Sequence, residues 1–182
     1  MKKFVLILTT CLFILTGCEN MDMDDTPTKK VEAFLNNYQT LDEGVLEDLD
    51  TVLANDTSLS DNDKEGYRKL MEDHYRDLKY EIKDERIDGD KATVDAEVTV
   101  RNYSKAVAGA EDYKSSNEDK FQDEKGNYST ALFSSYRLDE MEKVTDTATY
   151  TITFSLIRQN EEWTIEELSD EDLNKINGLY AG

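Results

Sequence analysis

The stretch Thr147 to Arg158 reads TATYTITFSLIR, and it decides the fold. Ala148, Tyr150, Ile152, Phe154 and Leu156 occupy alternate positions, with Thr149, Thr151, Thr153 and Ser155 between them. In an extended chain successive side chains point to opposite faces, so one face of this strand is apolar and the other meets water. Threonine, isoleucine and aromatic residues suit a pleated, half-buried surface. A strand wetted on one side belongs to an antiparallel sheet.

Reading outward toward the C-terminus, Gln159 to Glu161 is a polar turn and the chain returns as a partner strand through Trp163 and Ile165. Ser169 can then cap a short helix, with Leu173 and Ile176 facing inward and Gly178 stopping it. Toward the N-terminus, residues 103 to 143 have helical or irregular character. Their polar centre, Ser115 to Asn127, reads as a loop, and a second helical piece runs from about Tyr128 to Met141. Before that excursion the two-residue period recurs. Tyr80 and Ile82 lead to Asp88-Gly89, a hairpin signal, and the return strand sets Val94, Ala96, Val98 and Val100 against Thr93, Asp95, Glu97, Thr99 and Arg101.

Ahead of Lys79 the period is helical. Thr26-Pro27 has the form of a cap followed by proline at the first helical position, and Val31, Phe34, Leu35, Tyr38 and Leu41 share a face behind it. Val45, Leu46, Leu49, Val52 and Leu53 mark a second amphipathic stretch. A third starts near Ser60 and carries Tyr67, Leu70, Met71, His74, Tyr75 and Leu78. Helices, a hairpin, a helical excursion and a second hairpin make one α+β domain over residues 27 to 182, with a curved antiparallel sheet packed on the N-terminal helices.

The beginning of the chain is different. Lys2 and Lys3 precede an uncharged run from Phe4 to Leu15, followed by Thr16, Gly17 and Cys18, the order of a secretory signal. The run is too short to span a bilayer, which takes about 20 residues. Leu15-Thr16-Gly17-Cys18 resembles the bacterial lipobox at all four positions. That resemblance implies removal of residues 1 to 17, a diacylglyceryl group on Cys18, and a location on the extracytoplasmic face of the cell membrane. Two or more acyl chains hold a protein stably, at about 0.8 kcal/mol per buried CH₂. Residues 18 to 26 then read as the lipidated cysteine and a flexible tether, with four acids between Glu19 and Asp25.

The element order, the anchoring Cys18, the strand Glu162-Trp163-Thr164-Ile165 after a polar turn, and the helix start Leu168-Ser169-Asp170-Glu171 together resemble small NTF2-like (cystatin-like cone) lipoproteins of Gram-positive bacteria. The likeness covers most of residues 27 to 180, although 103 to 143 is longer than in the compact pattern. It implies a cone-shaped sheet whose concave face can hold a pocket. Members of that group mostly lack an assigned function, so what it supplies is a fold.

The whole chain has 41 acidic and 21 basic residues, a formal charge of −20; loss of the leader's two lysines takes the mature part to −22. Such a surface repels nucleic-acid phosphates and excludes a nucleic-acid partner, while leaving metal ions, basic peptides and basic protein patches open. Cys11 leaves with the leader and Cys18 is alkylated, so the mature fold is expected to stand without a disulfide.

Three groups of residues could carry chemistry. Asp61, Asp63, Glu65 and Glu72, with Gly66, fall at the offsets of an EF-hand calcium loop, although Glu65 is longer than that position takes and Arg68 stands where an apolar residue normally packs. Helical spacing of Tyr67, Leu70, Met71 and Tyr75 favours a straight helix there instead. His74, the sole histidine, could act as a base, yet it sits among core positions. Tyr80, Tyr150, Phe154 and Trp163 could line a ligand pocket on the concave sheet face, or simply be core. No catalytic set is assigned, and no cofactor. The expectation is a non-enzymatic, membrane-anchored module that binds a protein or small-molecule partner. The competing expectations are an exclusion or immunity lipoprotein that captures a basic protein, and an enzyme with a pocket built on the same cone.

Overall fold

The computed structural model describes residues 25 to 182. The leader, Cys18 and most of the tether lie outside the described residues. Three helices come first: α1 (Pro27–Thr40), α2 (Glu43–Asn55) and α3 (Asp61–Asp77). The hairpin β1 (Lys79–Asp88) and β2 (Lys91–Arg101) follows. Next come α4 (Ser104–Ser116), a short 3-10 turn at Glu118–Phe121 and α5 (Thr130–Glu142). Strands β3 (Thr147–Gln159) and β4 (Glu162–Ile165) and the seven-residue α6 (Asp170–Ile176) complete the chain. The result is α+β, with a four-stranded antiparallel sheet in the order β1-β2-β3-β4. Among the described residues no helix is long and apolar enough to cross a membrane.

Local chemistry sets the boundaries. Thr26 Oγ1 accepts from the Lys29 amide and Pro27 occupies the first turn. Ser60 and Ser169 each accept a backbone amide three residues on and donate their hydroxyl to the aspartate there, Asp63 and Asp172, at 2.7 Å. These reciprocal bonds satisfy donors that a helix start otherwise leaves unpaired. The two hairpins turn differently. In the first, Asp88 pairs with Lys91, so the corner residues are Gly89 and Asp90, one position later than the Asp88-Gly89 signal suggests. Gly89 alone has positive φ, at 61°. In the second, Gln159 pairs with Glu162, and both Asn160 (φ 52°) and Glu161 (φ 71°) are left-handed. That is the sign pattern of a type I′ turn, which matches strand twist.

Strand alternation is realised along β2, where Ala92, Val94, Ala96, Val98 and Val100 are buried and the intervening residues are not. Facing them on β3 are Ile152, Phe154 and Leu156. Val31 and Leu35 of α1, Leu78 at the end of α3, and Ile176 of α6 close this inner face into one apolar core. A second core forms between the helices from Leu49, Leu53, Leu70, Met71, Tyr103 and Leu138, with further residues around them. A third, smaller one joins Ala110, Phe121 and Phe133. Val52, predicted on the apolar face of α2, is 60 % exposed, because neighbouring helices cover Leu49 and Leu53 but leave that edge open.

Candidate functional site

The inner sheet face is filled, which corrects the expected pocket there. Phe154 and Trp163 are buried in the main core. Phe34 of α1 meets Phe154 edge-on, with ring centroids 5.7 Å apart. Arg158 lies over the Trp163 ring at 5.8 Å. Tyr80 donates its hydroxyl to Asn36 Oδ1 at 3.0 Å, and Tyr150 packs edge-on to Tyr180 at 5.6 Å. Phe154 and Trp163 therefore belong to the core, while Tyr80 and Tyr150 are half-buried and pack against its margin.

The calcium-loop reading is likewise corrected. Asp61, Asp63, Glu65 and Glu72 all sit on the continuous helix α3, and a helix spreads these positions around its axis rather than wrapping them about one point. Asp63 is committed to the cap. Its bond from the Ser60 hydroxyl, with another from Ser135 Oγ at 2.7 Å, holds its carboxyl below the usual range. Glu72 pairs with Arg76 at 3.3 Å and Arg68 at 4.0 Å, while Glu65 is exposed. Among the described residues no three His, Cys, Asp or Glu side chains are grouped to hold a metal ion.

His74 is fully buried on α3. Its Nε2 lies 2.8 Å from the Ile176 carbonyl oxygen, which can only accept, so the proton is on Nε2. Among the described residues Nδ1 has no hydrogen-bond partner, and the ring stacks obliquely on Tyr103 at 5.2 Å. Burial pushes its pKa down to about 4. Gly178 closes the other side: a Cβ there would lie 2.9 Å from His74 Cε1. Enclosed in this way, His74 is a neutral strut joining α3 to the C-terminal segment and is not placed to take a proton from a substrate.

Among the described residues a depression of about 440 Å³ runs along α3 beside Glu65, Arg68, Lys69 and Glu72, where Arg68 and Glu72 already face each other, and two further depressions lie elsewhere. One, about 570 Å³, is open and polar, between Asn102 and Lys105 at the start of α4 and the segment Lys143 to Thr147. Lys143 is already paired with Glu140 at 2.7 Å. The other, about 220 Å³, is a groove between α1, α2, α3 and α6. Tyr38, Tyr67 and Tyr75 contribute to its walls, with Leu49, Met71 and Leu173. Tyr38 and Tyr75 meet edge-on at 5.0 Å, and Tyr75 donates its hydroxyl to Asn177 Oδ1 at 3.0 Å. Burial, reinforced by the Asp48 carboxylate, raises the pKa of the Tyr38 phenol. Tyr75 is also raised, by burial first and then by the neighbouring Tyr38, Tyr67 and Asp48. Sequence reasoning missed this groove. Its aromatic residues come from different helices, and each reads individually as core.

No family model matches the chain, and neither does any curated protein sequence. Among solved structures, one with some similarity is ycdA of Bacillus subtilis, described provisionally as a lipoprotein. Identity is 12 % and the TM-score 0.43, with the match covering 87 % of this chain and 51 % of that one. The chain thus spans about half the length of that structure.

Proposed function

We propose that this chain is a lipid-anchored protein of the extracytoplasmic membrane face whose folded body is a non-enzymatic binding module. The observation that carries this reading is Leu15-Thr16-Gly17-Cys18 behind a basic start and an apolar run, joined by a short segment to a capped first helix. The eight residues from Cys18 to Asp25 reach at most about 28 Å when fully extended, so the body works close to the bilayer. The sheet is read as a cystatin-like cone because helices precede a meander and α1 lies across its inner face. Binding is favoured over catalysis by the filled inner face, the enclosed His74, and a helix groove whose walls are mainly apolar and aromatic. Nucleic acid is not the partner, given the charge of the mature part. Cys18→Ala is expected to abolish incorporation of labelled palmitate and release the protein from membranes; unchanged membrane retention of that variant contradicts the anchor.

The acidic charge favours a second reading, an exclusion or immunity lipoprotein that captures a basic protein crossing the envelope. Pull-down from a low-salt extract that is lost at high salt supports this reading, because salt screens exposed charges beyond about 10 Å at 0.1 M. Retention of the same partner at high salt counts against it.

A further inference from the structure

The groove between α1, α2, α3 and α6 combines an apolar interior with one anionic end. Leu49, Met71 and Leu173 give it apolar surface, and Tyr38, Tyr67 and Tyr75 add aromatic rings. Its polar members are Asp48 and Asn177. Asn177 Oδ1 is occupied by the Tyr75 hydroxyl. Among the described residues, in contrast, Asp48 has no ion pair or hydrogen bond with another side chain and no basic side chain lines the groove. Arg68, on the neighbouring face of α3, is engaged with Asp50 and Glu72. The exposed Val52 lies at the edge of the groove and lengthens its apolar surface.

We infer that this groove binds a small organic cation, its ammonium head set against Asp48 and the tyrosine rings and its apolar body against Leu49, Met71 and Leu173. A cation is attracted by the faces of aromatic rings, the more so where water is partly excluded, and by an unpaired carboxylate such as the solvent-facing Asp48 at the groove's rim. An apolar cavity of about 150 Å³ holds benzene, so about 220 Å³ accommodates one ring with a short amine-bearing tail. That volume matches a free amine of this size, the occupant assigned to the groove. The surplus of acids across the surface raises the local concentration of cations. This inference rests on the binding-module reading and names the ligand class that module would take.

The test is calorimetric titration of the full lipidated chain in a non-ionic maltoside detergent. The probes are 2-phenylethylammonium, the neutral 2-phenylethanol, the anionic phenylacetate, and Nα-acetyl-lysine methylamide as the protein-lysine analogue. Asp48→Asn and Val52→Trp are compared with the parent, both positions being exposed so that the fold is retained. The expected result is saturable binding of 2-phenylethylammonium at one site per chain, with phenylacetate roughly tenfold or more weaker. Asp48→Asn should weaken the amine about two- to fivefold and leave the alcohol unchanged, and Val52→Trp should block both. Absence of saturable binding up to about 20 mM overturns the inference, as does equal affinity for amine, alcohol and acid. If the alcohol binds, Val52→Trp blocks it and the amine has no advantage, the cation inference is overturned while the binding-module reading stands. Tighter binding of the lysine analogue than of 2-phenylethylammonium overturns the assignment to a free amine.

Discussion

At Gly178 the backbone turns at φ +69°, and a Cβ there would fall 2.0 Å from the carbonyl oxygen of Arg101. Its own carbonyl accepts the Tyr103 amide at 2.8 Å, while two residues earlier Ile176 accepts from His74. Gly178→Ala therefore combines backbone strain with a steric overlap that only movement of the C-terminal segment can relieve. A loss of about 3 kcal/mol or more is expected, read from the urea midpoint. His74 gives a pH signature at the same point. Between pH 6.5 and about 4 the unfolded chain takes up a proton that the buried imidazole refuses, so stability falls as pH drops through that window. The full effect is on the order of 3 kcal/mol. His74→Gln, which can still donate to Ile176, should flatten that part of the stability-pH curve; an unchanged slope would show that His74 is not its source. The interior placement of His74 was legible from its position on the apolar face of α3. Its bond to Ile176, 102 residues away, leaves no mark on local spacing.

At the level of elements, the strands were the most legible, because a strict two-residue period over Thr147 to Arg158 admits few other structures. The third helix was also legible, and Ser60 with Asp63 shows why the calcium offsets mislead: acids in a first helical turn serve the cap and the helix dipole. The excursion between β2 and β3 was legible only in outline. Phe121, embedded in the most polar run of the chain, is buried against Phe133 at 5.5 Å and Tyr136 at 5.5 Å, with Tyr113 at 6.3 Å. These rings come from α4, the 3-10 turn and α5, so no single window of sequence reveals the cluster. Phe121→Ala should loosen α4 and α5 locally, seen as faster amide exchange over residues 104 to 142 with sheet amides still protected. Uniform acceleration across β2 and β3 would instead mean that the excursion and the sheet unfold as one unit.

For the whole molecule, the hydrophobic pattern announces which faces are apolar but not which faces meet. That is why a concave pocket was anticipated where α1 and α6 fill the space, and why the groove among the helices went unseen. Charge is a property of the same scale. With 41 acids against 21 basic residues, the chain carries a formal charge of −20, which opposes close approach to nucleic-acid phosphates and draws cations toward the surface. The proposed membrane address depends on Cys18. Intact-mass and peptide mass spectrometry of the protein extracted from native membranes tests it most directly. The account predicts a chain beginning at Cys18 with a diacylglyceryl mass on its sulfur; a chain that retains Met1 to Gly17, or one with a free thiol at Cys18, would contradict it.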